Sequence, residues 1–435
     1  MRRFLKIAGG IVLLACVAVL ATLYWMGTWE GASVDTADAP TASTSPPVAN
    51  PSEDTQRIER GRYLALVGNC AGCHTVAGGQ RYAGGTAIPT PFGTLYGPNI
   101  TPDPDAGIGS WDADDFWRAL HAGKSKDGTL LYPAFPYTEY TRVSRADSDA
   151  LFAYLRTVPA SPQPSPAHQL KFPYDQRGLL AFWRALYFTP GGLSQDQGQS
   201  EQWNRGRYLV EGLGHCAACH SPRNRWGATQ GGLSGAMITG LGWYAPPLTN
   251  EADGGLGDWS AQDIATLLRT GIAAHSTALG PMAEVVVNSS QHLTQDDALA
   301  MGVYLKSLPA GPVPTGITAP STAVMTLGAK LYGQYCAQCH RETGEGHPGA
   351  WPALTDNPTV TASSPVNAIR VLLDGGFAPA TAANPRPHGM PPFGQVLGDN
   401  DIAALVSYIR ASWGNRAGAV TAFDVKRVRD GARVD

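Results

Sequence analysis

A marked excess of either charge is missing from this 435-residue chain: 32 Lys and Arg against 35 Asp and Glu leave a formal net charge of -3. No basic stripe runs along any segment, which excludes duplex nucleic acid as a partner. Neither a Gly-rich phosphate loop, a dinucleotide fingerprint nor a catalytic triad occurs, so nucleotide-dependent and hydrolytic chemistries have no foothold. Strand-like alternation is sparse, which argues against an extensive sheet. Methionine is scarce, seven in all, and none lies between residues 27 and 236. Cysteine is equally scarce, and six of its seven copies serve one pattern.

That pattern is Cys-x-x-Cys-His, present as Cys70-Ala71-Gly72-Cys73-His74, Cys216-Ala217-Ala218-Cys219-His220 and Cys336-Ala337-Gln338-Cys339-His340. Each reads as a covalent haem c attachment site. Two thiols three positions apart on a helical turn can form thioethers with both vinyl groups of one porphyrin, and the adjacent imidazole is then held under the iron. Cys-x-x-Cys alone is shared with zinc ribbons and redox-active dithiols. The three histidines decide against those, because a random chain of this length holds only about 0.002 such pentapeptides. The expectation is three covalently bound haem c groups, with His74, His220 and His340 as axial ligands.

The first residues carry a second signal. Arg2, Arg3 and Lys6 precede an uncharged stretch from Ile7 to Met26, about the ~20 residues of a bilayer-spanning helix. Basic residues lie only on its N-terminal side, which sets that end in the cytoplasm. A retained anchor is favoured, with Tyr24, Trp25 and Trp29 as an interfacial belt. A signal cleaved after Ala21 and a lipoprotein box at Leu13-Leu14-Ala15-Cys16 are the alternatives. Residues 31–55, rich in Ala, Ser, Thr, Pro and Asp, read as a disordered tether spanning about 28 Å.

Beyond it the chain is a threefold repeat. Arg60-Gly61-Arg62-Tyr63-Leu64 recurs as Arg205-Gly206-Arg207-Tyr208-Leu209, and Gly328-Ala329-Lys330-Leu331-Tyr332 is a looser third copy. Each opens a helix leading into a Cys-x-x-Cys-His site. Gly107 to Trp111 with the following Ala113-Asp114-Asp115-Phe116 matches Gly255 to Trp259 with Ala261-Gln262-Asp263-Ile264, and begins a second helix. Apolar residues at i, i+3, i+4 and i+7 predict closing helices over Asp147 to Val158, Asp296 to Leu308 and Asp399 to Trp413, with Asp suited to each N-terminus. An aromatic run from Gly178 to Phe188 lies in the first connector, where it either packs between repeats or docks to a membrane or partner.

A thioether can supply the sixth ligand and raise the reduction potential. Met282, 11 residues after Gly271, and Met390, 15 after Gly375, sit in loops before closing helices. Both are expected to ligate, whereas Met237, Met301 and Met325 are expected to pack. The matching slot in the first repeat holds Phe135, which cannot ligate iron. The first haem is then five-coordinate, ligated from elsewhere, or bound differently. His121 falls in the last turn of a helix, where a cap on carbonyls is expected. Lys124, Lys126 and His168 are weaker candidates, and His215 and His347 read as local structure.

A small helical unit with a haem near its start and an amphipathic closing helix resembles cytochrome c. The chain as a whole resembles the triheme cytochrome c subunit of bacterial membrane-bound dehydrogenases. The stretches that carry this are Thr90-Pro91-Phe92-Gly93-Thr94 with Asn99-Ile100-Thr101-Pro102-Asp103, Glu211-Gly212-Leu213-Gly214-His215-Cys216, and Gly280-Pro281-Met282-Ala283-Glu284-Val285-Val286. The resemblance implies an all-α chain of three tandem cytochrome c-like domains after an N-terminal transmembrane helix. The parts are an anchor or signal (1–30), tether (31–55), domain one (56–160), aromatic connector (161–200), domain two (201–310), linker (311–324), domain three (325–415) and tail (416–435).

It further implies a location on the periplasmic side of the bacterial cytoplasmic membrane. Electrons would pass from a catalytic quinoprotein, flavoprotein or molybdoprotein dehydrogenase subunit to ubiquinone or a terminal oxidase, with no substrate chemistry in this chain. Cys70, Cys73, Cys216, Cys219, Cys336 and Cys339 hold the haems, and His74, His220, His340, Met282 and Met390 hold the irons. Alcohol dehydrogenase subunits of this type usually have Met where Phe135 stands. An open first haem motivates the alternative of a peroxidase-like or other small-molecule reductase.

Overall fold

The computed structural model describes residues 2–29, 51–238, 240–251, 254–274, 276–311 and 317–431. The first twenty positions of the expected tether, 31–50, lie outside these, and its last five belong to the helix Pro51–Val67. The chain divides into two compact units. One comprises residues up to Ala65 with Cys73–Ser194 and Arg225–Ala228, and the other Leu66–Gly72, Gln195–Asn224 and everything from Thr229.

Each repeat lays its opening helix across its closing helix. The opening helices are Pro51–Val67, Glu201–Tyr208 and Thr322–Tyr335. The closing helices are Arg145–Leu155, Gln295–Ser307 and Asp399–Arg410. The repeated glycine marks the crossing. A Cβ on Gly61 would stand 1.8 Å from Ala150 O, one on Gly206 1.9 Å from Ala300 O, and one on Gly328 2.4 Å from Ala404 O. No side chain fits there, so the glycine is kept for closeness of approach and not for a turn. Gly206→Ala is expected to cost ~1–3 kcal/mol by forcing the helices apart. A denaturant midpoint equal to that of Gly191→Ala, where nothing lies within 4 Å, would contradict this.

The repeated arginine beside that glycine fastens the same crossing. Arg60 Nε donates to Asp147 Oδ1 at 2.6 Å, and Arg205 donates to both oxygens of Asp297, at 2.8 and 2.7 Å. These aspartates are not the N-caps: Ser144 and Thr294 cap their helices, and the carboxylates sit one turn in. The third repeat has Leu327 in place of the arginine, and Asp401 Oδ2 accepts from Gly398 N at 3.2 Å instead.

The all-α expectation is corrected. Nine strands of two to four residues occur among the described residues, too short to carry a legible period. Ala87–Thr90, Gly93–Tyr96 and Gln169–Leu170 form one antiparallel sheet. Its hairpin turn is the Thr90-Pro91-Phe92-Gly93-Thr94 stretch, and Gly93 (φ 123) leaves no room for a Cβ, which would lie 2.3 Å from Gln169 O. Three two-stranded ribbons pin loops in the second and third repeats. Backbone pairing is what holds these long loops, since they have few apolar contacts of their own.

The N-terminal expectation is corrected as well. Among the described residues no helix is long and apolar enough to cross a membrane, which overturns the transmembrane anchor and the localisation built on it. The helix Arg2–Thr28 is there, with Leu13, Leu14 and Trp25 exposed, but its last turn belongs to the protein. A Cβ on Gly27 would lie 1.6 Å from Ala181 O. Fully buried Arg184 donates to Gly27 O (2.7 Å) and Ala122 O (2.6 Å), and Lys124 Nζ donates to Thr28 O at 2.5 Å. The aromatic run of the connector forms the helix Leu180–Tyr187, and Phe182 packs against Tyr24 with ring centroids 6.0 Å apart.

The region expected as a tail contains the helix Ala422–Gly431, whose Val425 and Val428 join the core of the third repeat. In the linker, 312–316 lie outside the described residues.

Candidate haem sites

All three pentapeptides fold as a single helical turn, Cys70–His74, Ala217–His220 and Ala337–His340. A left-handed residue precedes the first two, Asn69 (φ 52) and His215 (φ 39), and separates the turn from the opening helix. Asn and His tolerate that conformation better than most side chains. His215 is thus a hinge, with its Nδ1 3.1 Å from Leu213 O.

The ring of each pentapeptide histidine is held in the same way. Nδ1 of His74 lies 2.7 Å from Pro98 O, that of His220 2.7 Å from Pro246 O, and that of His340 3.0 Å from Pro352 O. A carbonyl only accepts, so Nδ1 carries the proton and Nε2 is left with a lone pair facing away. Burial lowers all three pKa values, with the proline carbonyl opposing. A neutral imidazole fixed at Nδ1 by a backbone carbonyl has the arrangement of an oriented metal ligand.

Two of the cysteines have the opposite character from a reactive dithiol. Burial pushes the Cys336 thiol up to about 12 and that of Cys219 upward, whereas catalytic Cys-x-x-Cys sites lower the pKa. No disulfide joins any described cysteine. No group of three or more His, Cys, Asp or Glu among the described residues could hold a free metal ion, which also speaks against zinc.

In the third repeat Cys336, His340 and Met390 line one apolar cleft of about 990 Å³, counting space open to solvent. Val360, Leu372 and Ile409 form much of its wall, and Thr277 and Leu279 of the second repeat complete one edge. Met390 lies in the ribbon that pairs Gly376–Phe377 with Gly389–Met390. Gly375 (φ 70) lets this ribbon fold back, since a Cβ there would lie 2.5 Å from Met390 O. A flat, largely apolar group tethered through Cys336 would meet both a nitrogen donor, His340, and a thioether, Met390, in this cleft.

In the second repeat, Met282 stands half-buried in the first turn of Pro281–Asn288. The entry to that helix, Gly280 (φ 53), packs on the Trp243 ring, 2.6 Å from where a Cβ would be. Trp243–Ala245 is the strand that runs into Pro246, so the loop bearing Met282 rests on the segment that holds His220. The second and third repeats are tied together beside it. Asn367 exchanges two hydrogen bonds with the Tyr244 backbone (2.9 and 2.6 Å), and Arg370 donates to Gly242 O at 2.8 Å.

The first repeat offers no thioether. Phe135 packs on Tyr140, with ring centroids 5.4 Å apart. The other candidates are engaged elsewhere. His121 is buried in the last helical turn and stacked on Trp117 at 4.4 Å. Lys124 reaches Thr28 O, Lys126 reaches Ser110 O, and His168 Nδ1 accepts from Tyr96 N at 3.2 Å.

The three prolines were not legible as site residues, because each acts through its carbonyl from a loop 24, 26 or 12 positions beyond its histidine. A shared signal exists in retrospect: Tyr96-Gly97-Pro98, Tyr244-Ala245-Pro246 and Ala350-Trp351-Pro352 each place a proline after an aromatic-bearing pair of residues.

The sequence is similar to those of known proteins. The cytochrome c family model matches residues 58–159, 204–309 and 325–413. The chain is 39% identical over 402 residues to the alcohol dehydrogenase (quinone) cytochrome c subunit of Gluconacetobacter polyoxogenes, covering 87% of this chain and 86% of that one. It is 39% identical over 393 residues to the gluconate 2-dehydrogenase cytochrome c subunit of Pantoea cypripedii, covering 86% and 89%. A nicotinate dehydrogenase subunit of Pseudomonas putida is 43% identical over 363 residues, covering 81% of this chain and 30% of that protein.

Proposed function

The chain belongs to the cytochrome c family, and from that premise we propose that it holds three haem c groups and serves as the electron-transfer subunit of a dehydrogenase, delivering electrons to ubiquinone or a terminal oxidase. The observation that carries this is the threefold recurrence of a Cys-x-x-Cys-His turn whose histidine Nδ1 is tied to a proline carbonyl.

Bound haem supplies a one-electron couple at each site. The protein's own residues do the rest. Cys70 and Cys73, Cys216 and Cys219, and Cys336 and Cys339 anchor the porphyrins. His74, His220 and His340 would offer Nε2 to the irons, and Met282 and Met390 would supply a further thioether ligand in the second and third repeats. Val360, Leu372 and Ile409 give the third site an apolar wall. The proposed division into domains at 56–160, 201–310 and 325–415 gives one pentapeptide to each.

Relatives named as subunits of alcohol, gluconate and nicotinate dehydrogenases support a catalytic dehydrogenase partner of the quinoprotein, flavoprotein or molybdoprotein class. The intact mass of the purified protein should exceed that of the polypeptide by three haems, with a sharp reduced α band. Rapid mixing of the reduced protein with a soluble ubiquinone analogue should reoxidise it. Absence of bound haem would defeat the proposal. Phe135 favours a second reading, reduction of a small molecule at the first haem, and fast reoxidation by peroxide would support that instead.

A further inference from the structure

The three closing helices end on the same repeat position: Tyr154-Leu155-Arg156, Tyr304-Leu305-Lys306 and Tyr408-Ile409-Arg410. In the first two repeats the cation is exposed or half-buried and donates to loop carbonyls. Arg156 donates to Gly109 O, and Lys306 to Leu256 O and Gly257 O. The third departs from this. Arg410 is 3% exposed and borders the cleft that holds Cys336, His340 and Met390.

Its Nη1 donates to Val360 O (2.5 Å) and Ala362 O (2.9 Å), and its Nε to Gly418 O (3.1 Å). Its Nη2 makes no hydrogen bond and it joins no ion pair among the described residues. No Asp or Glu lines the cleft. Burial pulls the guanidinium down to about 10, which leaves it charged at neutral pH. A buried cation with a spare donor and no anion is costly. The group expected in this cleft brings the missing charge, because the porphyrin of haem c carries two propionate carboxylates.

We propose that Arg410 is the counter-ion of a propionate of the third haem, held through its Nη2, and that this charge sets the potential of that haem apart from the other two. This rests on the reading of the cleft as a haem site. Arg410 then has two roles at once: one edge of its fork clamps the loop at Val360 and Ala362, and the other faces the cofactor. A fixed positive charge near the iron disfavours the ferric state, so it raises the potential of that haem.

The test is a spectroelectrochemical titration of the full chain, with haem content measured alongside. Arg410→Gln is expected to keep three haems and to lower the reduction equilibrium constant of one of them about tenfold, which is about 59 mV for one electron. The other two should be unmoved, and Arg156→Gln should shift none. Three unchanged potentials in Arg410→Gln, or all three moving together, would overturn the proposal. Should Arg410→Gln fail to accumulate, Arg410→Lys decides. It keeps the charge and should load three haems with near-native potentials, whereas failure of the lysine variant too would show that Arg410 acts only as a clamp. Absence of haem from the wild-type protein would count against the function itself and not against this assignment.

Discussion

Met390→Ala is expected to lower the potential of one haem by about 100 mV or more, since axial ligands set haem potentials over a range of about 0.8 V. The same variant should turn one of three irons high-spin in the oxidised state. Met390 and His340 line one cleft in the third repeat. A thioether stabilises ferrous over ferric iron, and its removal leaves the position to water or to nothing. Met390→His should restore a six-coordinate low-spin spectrum without restoring the potential, which separates loss of ligand from loss of fold. Met301→Ala is the control. That side chain is 5% exposed in a closing helix, so it should lose ~2–5 kcal/mol of stability and leave every potential in place. Unchanged potentials in Met390→Ala would remove this methionine from the ligand set.

The second large effect is on stoichiometry. Cys336→Ala combined with Cys339→Ala should reduce the haem complement from three to two, read directly as a drop in intact mass of one haem and a weaker reduced α band. The third repeat should also melt earlier than the rest. Val360, Leu372, Val406 and Ile409 of its apolar cluster line the cleft, and an apolar wall with nothing against it has lost its partner atoms. Retention of three haems in the double variant would show that attachment occurs elsewhere.

The parts of the protein legible in its sequence are those whose signal is local. Cys-x-x-Cys-His is a five-residue statement, and the distance from Gly375 to Met390 is short enough for one loop to place the methionine in the cleft of His340. The Arg-Gly pairs were visible as a repeat, though their meaning was not. That Gly61, Gly206 and Gly328 allow two backbones to touch depends on a partner helix about ninety positions on in the first two repeats, as the Arg60–Asp147 pair shows. Pro98, Pro246 and Pro352 act through a backbone atom, which leaves side-chain chemistry with nothing to read.

The N-terminal segment failed for a related reason. Twenty apolar residues look alike whether the helix crosses a bilayer or ends inside a protein. The deciding contacts come from Ala181 and Arg184, far along the chain. Arg410 shows the same limit, since its repeat position is shared with Arg156 and Lys306, and only packing buries it.

Thr277 and Leu279 reach from the second repeat to finish the edge of the third repeat's cleft. A sequence that looks like beads on a string is therefore not divisible at its linker. Cutting after residue 310 would unroof the last pocket and flood the side nearest its neighbour. Duplication could have built this chain one copy at a time, but the last two copies have since become tenants of a common wall, and neither can be lent to another protein intact.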